Sequence, residues 1–131
     1  MEKGNWCVLL IVTLISMMNQ AGRFMLSFVA AGSDFLDDTN TSEVEYGALA
    51  GSIFLFPYGI FQILTGKLVD NISSPKWLLL AGSLIWNVAN ALTGIATNFA
   101  GLIWPRVIFA VSSSVLDTTA FMMIAAFFPQ N

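Results

Sequence analysis

The sequence contains no histidine, a single cysteine and few charged residues. Without histidine, the chain lacks both the usual general base near neutral pH and the commonest metal ligand. Cys7 alone cannot form an internal disulfide or a cysteine-rich zinc site. Five basic residues against eight acidic ones give a net charge of −3, which provides no basic surface for nucleic acid. We therefore expect no enzymatic activity, no cofactor, no metal site and no nucleic-acid partner.

What the chain has in abundance is apolar side chains. Hydrophobic residues make up 56% of the 131 residues and charged residues only 10%, with a mean hydropathy of +0.76. Soluble domains carry about 25% charged residues. Four segments reach the roughly 20 apolar residues that cross a bilayer as a helix. The sequence predicts an all-α, multi-pass integral membrane protein with spans at about residues 6–31, 46–65, 77–97 and 101–128.

The charged residues outside these spans indicate an orientation. Lys3 precedes the first span, Lys67 and Lys76 flank the second loop, and the first loop carries only acidic charges. The positive-inside rule then predicts a cytoplasmic N-terminus and a cytoplasmic loop at residues 66–76. On the opposite side, Asn40 begins an Asn-Thr-Ser sequon and is a candidate glycosylation site. A cleaved signal peptide at residues 1–18 is the alternative for the N-terminus, although the apolar stretch resumes and reaches spanning length.

Polar residues inside the first and fourth spans recur with helical periodicity. In the first span they occupy one sector of about 100°, and in the fourth they lie within about 40° of one another. Polar groups at membrane depth usually face a protein interior or a water-filled cavity. Two such stripes predict a shared hydrophilic cavity, and its candidate residues are Asn19, Gln20, Arg23, Arg106, Ser113 and Asp117.

Several of these residues allow a second interpretation. Arg23 or Arg106 could extend its side chain to the lipid headgroups, and Asn19, Gln20 and Ser113 could form hydrogen bonds between helices without lining a cavity. Arg106 and Asp117 are about 16 Å apart along an ideal helix, so each is expected to find another partner or water. In the second span, the pair Gly47-x-x-x-Gly51 predicts close helix packing. The phenylalanines of this span are expected to contact lipid, namely Phe54, Phe56 and Phe61.

Three stretches resemble the major facilitator superfamily. The loop between the second and third spans has the order Gly66-x-Leu68-x-Asp70, followed by Lys76, which is similar to the family's loop hallmark. NQAGRF in the first span resembles the spinster-like branch, with Gly22 where an aspartate is expected. WPRVIFAVSSSV in the fourth span is similar to another family stretch, with Arg106 matching and Ser113 in place of a glutamate.

This resemblance implies a fold and a mechanism. The chain would form the first four helices of the six-helix N-terminal bundle of a twelve-span transporter that works by alternating access. The residues of the loop hallmark would form a conformational latch: Gly66, Leu68, Asp70 and Lys76. Arg23 and Arg106 would line the central cavity and contact an anionic substrate group. Since the expected acids are replaced at Gly22 and Ser113, Asp117 is the acid left within the spans, and proton coupling stays open.

The resemblance also implies that these 131 residues are part of a longer polypeptide, because they supply four of twelve spans. We therefore expect transport of a small organic or lipid-like solute, with the lipid bilayer, the small-molecule substrate and the remaining helices of the transporter as partners. The alternative is a non-transporting, four-span accessory or assembly subunit that binds other proteins through its polar stripes.

Overall fold

The computed structural model describes residues 3–72 and 74–127, which form helices joined by short connections. In chain order the helices are α1 (Lys3–Ala30), α2 (Ser33–Asp38), α3 (Glu43–Ala50), α4 (Ser52–Asp70), α5 (Pro75–Gly94) and α6 (Phe99–Phe127). Four segments are long and apolar enough to cross a membrane, namely Trp6–Ala30, Glu43–Asp70, Pro75–Gly94 and Phe99–Phe127. The prediction of an all-α fold with four membrane-spanning helices is confirmed.

The second span consists of α3 and α4, which meet at a bend. At Gly51 the backbone has φ −98° and ψ −96°, outside the helical region, although its amide still donates to the carbonyl of Gly47 at 2.9 Å. A Gly-Ser pair is a common cause of such bends, and Gly51 is followed by Ser52. The expected close packing at Gly47 does not occur among the described residues, because a Cβ there would meet nothing within 4 Å.

Polar side chains define two of the helix starts. Ser42 forms a capping box with Glu45: its hydroxyl accepts from the Glu45 amide, and the Glu45 carboxylate accepts from the Ser42 amide at 2.9 Å. At the start of α6, the side-chain oxygen of Asn98 accepts from the amide of Gly101 at 2.7 Å. These caps satisfy amides that have no partner within their own helix.

Helix α6 is the central element, packed along both α4 and α5. Its middle is rich in small residues, including Ala110 and Ser112 to Ser114, and these are buried. Small side chains allow helix backbones to approach closely in a membrane. Gly82 of α5 serves the same purpose, since a Cβ at that position would lie 3.3 Å from the side chain of Leu116. Helix α1 also packs on α6, over a shorter contact.

Two buried apolar clusters hold these helices together. One contains Phe54, Ala89, Phe109 and Ala110, and joins α4, α5 and α6. The second joins α1, α3 and α6 through Leu26, Leu49 and Leu102. The expectation that Phe54 faces lipid is wrong, because its ring lies in the first cluster, whereas Phe56 is 72% exposed. Composition alone does not distinguish a ring on the inner face of α4 from one on the outer face.

Candidate functional site

The carboxylate of Asp117 on α6 is the centre of a polar network that connects three helices. Arg23 of α1 forms an ion pair with Oδ2 of Asp117. The hydroxyl of Tyr58 on α4 donates to the same oxygen at 2.9 Å, and the amide of Asn19 donates to Oδ1 at 2.9 Å. Both carboxylate oxygens are therefore occupied, and charge-assisted hydrogen bonds of this kind are the stronger ones.

Asn19 extends the network to Ser113. The side-chain oxygen of Asn19 accepts from the hydroxyl of Ser113 at 2.8 Å, so both ends of the amide are bonded. Asn19 is 1% exposed and Ser113 is fully buried. Asn19 and Ser113 thus form the interhelical hydrogen bonds that the sequence allowed as an alternative, and they hold α1 against α6.

The guanidinium of Arg23 lies against aromatic rings as well as against Asp117. Its central carbon is 4.6 Å from the ring centre of Tyr58 and 5.6 Å from that of Phe54, and these two rings stack on each other with their centres 5.6 Å apart. A cation above an aromatic face is attracted by the ring's electrons. Arg23 therefore has a fixed position, with its charge compensated.

Arg106 has the opposite surroundings. The side chain is buried, at 5% exposure, and it has no hydrogen bond or ion pair among residues 3–72 and 74–127. Its buried Nε atom is unpaired, and its guanidinium lies 5.5 Å from the ring centre of Phe109. The side chain therefore lies inside the bundle rather than reaching for the headgroups. A buried cation without an anion is costly, by several kcal/mol even after relaxation.

Arg23 and Arg106 line the same cavity, which has a volume of about 330 Å³. Gln20 and Ser27 of α1 contribute further polar groups to its wall. The rest of the lining is apolar and comes from Phe24, Ala50, Phe54 and Leu55. We call this space the arginine cavity. Arg106 also borders a second space on the other side of α1, lined by Gly22, Asn90 and Thr93 among others.

At position 22 a side chain would collide with Trp86. A Cβ at Gly22 would lie 2.7 Å from the indole of Trp86 and 3.4 Å from the ring of Phe109. The space in which an aspartate was expected at this position is therefore filled by the tryptophan of α5. The absence of an acidic side chain at position 22 and the position of the Trp86 indole therefore belong to the same packing arrangement.

The candidate latch residues lie apart from this network. Gly66 is in α4, where a Cβ would meet nothing within 4 Å, and Asp70 is the exposed last residue of that helix. Leu68 is also exposed, and Lys76 near the start of α5 lies 5.9 Å from the ring centre of its neighbour Trp77. Within the described part of the chain, the carboxylate of Asp70 has no ion pair and no side-chain hydrogen bond. A carboxylate at a helix C-terminus is unfavourable because the helix dipole is negative there.

The candidate glycosylation residue, Asn40, is exposed between α2 and α3 with φ 47°. Asparagine adopts this left-handed conformation more readily than most residues. Elsewhere, no three acidic or thiol side chains cluster in a way that could hold a metal ion, within the residues described.

One member of the network was missed by reasoning from sequence. Tyr58 shares one face of α4 with Gln62 and Thr65, and its hydroxyl contacts Asp117. A second signal was present, because a phenol at membrane depth normally needs a hydrogen-bond partner. The predicted cavity used the polar stripes of the first and fourth spans and not this one on α4.

Comparisons with known proteins identify relatives. The family profile of the Major Facilitator Superfamily matches residues 12–131. The chain is similar to the hexuronate transporter of Bacillus subtilis, with 27% identity over 98% of this chain and 29% of the relative. It is also similar to a probable L-galactonate transporter of Escherichia coli, with 26% identity over 92% of this chain and 26% of the relative.

A third relative is a probable sulfoacetate transporter of Cupriavidus necator, with 38% identity over 55% of this chain and 16% of that protein. The chain thus spans less than a third of the length of the curated relatives it matches. No solved structure matches it at a significant level. The matches are to transporters, which confirms the expectation that the chain is not an enzyme.

Proposed function

The chain belongs to the major facilitator superfamily, and from this premise we propose that it is the N-terminal part of a transporter for a small organic anion. Transporters of this superfamily have two helical halves that rock about a site near the middle of the membrane, exposing it to each side in turn. In the proposed arrangement the substrate binds between the halves, and α1, α4 and α6 supply one wall of its site. The remaining helices come from the rest of the polypeptide.

The observation that carries the proposal is the unpaired, buried guanidinium of Arg106 beside the arginine cavity. An anion bound there offsets the cost of burying this charge. The planar fork of an arginine matches a carboxylate or sulfonate with two parallel hydrogen bonds. Apolar side chains form the rest of the cavity wall, and surroundings of low polarity strengthen that attraction.

The relatives give independent support for an anion. Hexuronate and L-galactonate are sugar acids, and sulfoacetate carries a sulfonate and a carboxylate. These names favour an organic acid over the lipid-like solute that the sequence also allowed. The likeness of Asn19 and Arg23 to the spinster-like branch stays a prediction.

The orientation and the latch complete the proposal. The N-terminus and the connection at residues 71–74 lie in the cytoplasm, in accord with Lys3, Lys67 and Lys76. Asp70, exposed at the end of α4, pairs with a group of the second half when the cytoplasmic side is closed. Its lack of a bond within the described residues supports a partner elsewhere in the transporter.

Uptake by the complete polypeptide in liposomes tests the proposal, with radiolabelled L-galactonate and glucuronate as probes. Arg106→Gln leaves the substrate acid without its partner, so we expect kcat/KM for uptake to fall about 100-fold, as when one member of a buried charge pair is removed. Asp37→Asn is the control, because it removes an exposed charge of α2 that does not line the cavity and should leave uptake unchanged.

Two outcomes would contradict the proposal. One is uptake by Arg106→Gln at the wild-type rate. The other is a folded wild-type protein that neither binds nor transports any of the organic acids named for its relatives, which would favour the accessory-subunit alternative.

A further inference from the structure

We propose that Asp117 masks the charge of Arg23 and thereby makes this wall of the cavity a site for one acid group, held by Arg106. The inference rests on the function proposed above and names the residue that sets the charge of the preferred substrate. The names of the relatives leave this charge open, since hexuronate and galactonate carry one acid group and sulfoacetate carries two.

The charges at membrane depth are few enough to be counted. Within the predicted spans the charged residues are Arg23, Arg106 and Asp117, two cations and one anion. Asp117 forms its ion pair with Arg23, whereas Arg106 has no carboxylate partner in the described part of the chain. One uncompensated positive charge remains, and it belongs to Arg106.

The mask is held firmly in place. Asp117 receives hydrogen bonds from Tyr58 of α4 and from Asn19 of α1, in addition to the ion pair with Arg23. Ser113 in turn fixes the amide of Asn19. For an incoming acid group to take Arg23, Asp117 would have to leave an arrangement in which all its bonds are satisfied, and its unpaired carboxylate would then stay partly buried.

The position of Asp117 also matters. The polar part of the cavity wall comes from Arg23, Arg106, Gln20 and Ser27, while Asp117 does not line the cavity and contacts Arg23. Asp117 therefore acts on the cavity through Arg23, by compensating the charge that this arginine presents. A second acid group on the substrate meets a neutral pair rather than a cation.

A matched pair of probes tests this reading. L-Galactonate and galactarate share the same six-carbon chain, and galactarate has a second carboxylate where galactonate has an alcohol. In the complete protein in liposomes, we would measure the inhibition constants of both acids against uptake of radiolabelled L-galactonate. Asp117→Asn is nearly isosteric and uncovers Arg23, so the ratio of the two constants should move about tenfold towards galactarate.

Two further variants complete the design. Asp117→Glu keeps the charge and should keep the wild-type ratio. Gln20→Lys adds a cation to the cavity wall without touching the Asp117 network, and should move the ratio in the same direction as Asp117→Asn. It decides the question if Asp117→Asn is not recovered folded, because an unchanged ratio in Gln20→Lys would mean that cavity charge does not select the substrate.

The outcomes separate the two proposals. A purely structural role for Asp117 predicts that Asp117→Asn weakens both acids equally, and an unchanged ratio would overturn this inference alone. Failure of the wild-type protein to bind any of the organic acids named for its relatives would overturn the proposed function, and this inference with it.

Discussion

Two arginines that face one cavity differ at the level of single atoms. Both have a buried, unpaired Nε, but Arg23 has a carboxylate and two aromatic rings around its guanidinium, whereas Arg106 has one ring and no carboxylate partner in the described part of the chain. Arg23 therefore links α1 to α6 through Asp117, whereas Arg106 forms no such link within the described residues.

Gly22 is the residue whose substitution the packing tolerates least at this site. Because a Cβ would lie 2.7 Å from the indole of Trp86, Gly22→Ala should lower stability by about 1–3 kcal/mol, as overpacked positions do. Thermal unfolding in detergent, followed by size-exclusion chromatography, measures this effect. Trp86→Phe in the same chain should restore most of the loss, since it removes the atoms that clash.

A second comparison controls for helix propensity. Gly59 is in α4, where a Cβ meets nothing within 4 Å among the described residues. Gly59→Ala should therefore leave the melting temperature unchanged or raise it slightly. Equal losses for the two alanine variants would mean that contact with Trp86 is not the cause.

The helical spacing of polar residues in the sequence predicted part of this site. Asn19, Arg23, Ser113 and Asp117 recur at helical spacing, and the structure brings these four together. The separation of Arg106 and Asp117 along α6 also agrees with the absence of an ion pair between them in the described part of the chain. The roles of Tyr58 and Trp86 depend on how neighbouring helices rotate about their axes, which a single sequence does not encode locally.

At the scale of helices, the contact of α5 with α6 depends on a small residue at position 82. Gly82→Leu would force the helices apart, because even a Cβ lies 3.3 Å from Leu116 and 3.4 Å from Val115. We expect a loss of folded protein after membrane extraction, or a destabilisation of about 1–3 kcal/mol. Gly59→Leu adds the same side chain on an exposed face and should extract normally.

Helix boundaries were predictable only in part. The apolar lengths of the four spans gave their number and approximate centres, because crossing a bilayer requires a minimum run of apolar residues. The bend at Gly51 and the extension of α4 to Asp70 were not predicted. Hydrophobicity reports where lipid can be, whereas hydrogen bonds and caps decide where a helix ends.

At the scale of the whole molecule, the direction of insertion can be measured with single cysteines. Cys7 is the cysteine of these 131 residues, so Cys7→Ser, with any cysteine in the rest of the polypeptide also replaced by serine, provides a background for Asp37→Cys in α2 and Asn71→Cys after α4. In intact cells a membrane-impermeant maleimide should label position 37 and not position 71. The reverse pattern would overturn the proposed orientation, and labelling at both positions after lysis is the control for reactivity.

The helices of this chain correspond to only part of the length of the superfamily members that it matches. The matched relatives are more than three times as long as the part that aligns with this chain. The exposed apolar residues of α1, such as Leu10, Leu14 and Phe28, therefore face either lipid or helices from the rest of such a protein.

The unequal lengths of the four spans have a consequence for the surrounding lipid. At 1.5 Å per residue, the 20 residues of α5 extend about 30 Å, and the 29 residues of α6 extend about 43 Å. The first length equals the thickness of a typical hydrocarbon layer, so α5 crosses it almost upright or not fully, whereas α6 must tilt or project into the headgroups. Among the four described spans, bilayer thickness therefore acts chiefly through α5, and lipids with longer tails would strain that helix before the other three.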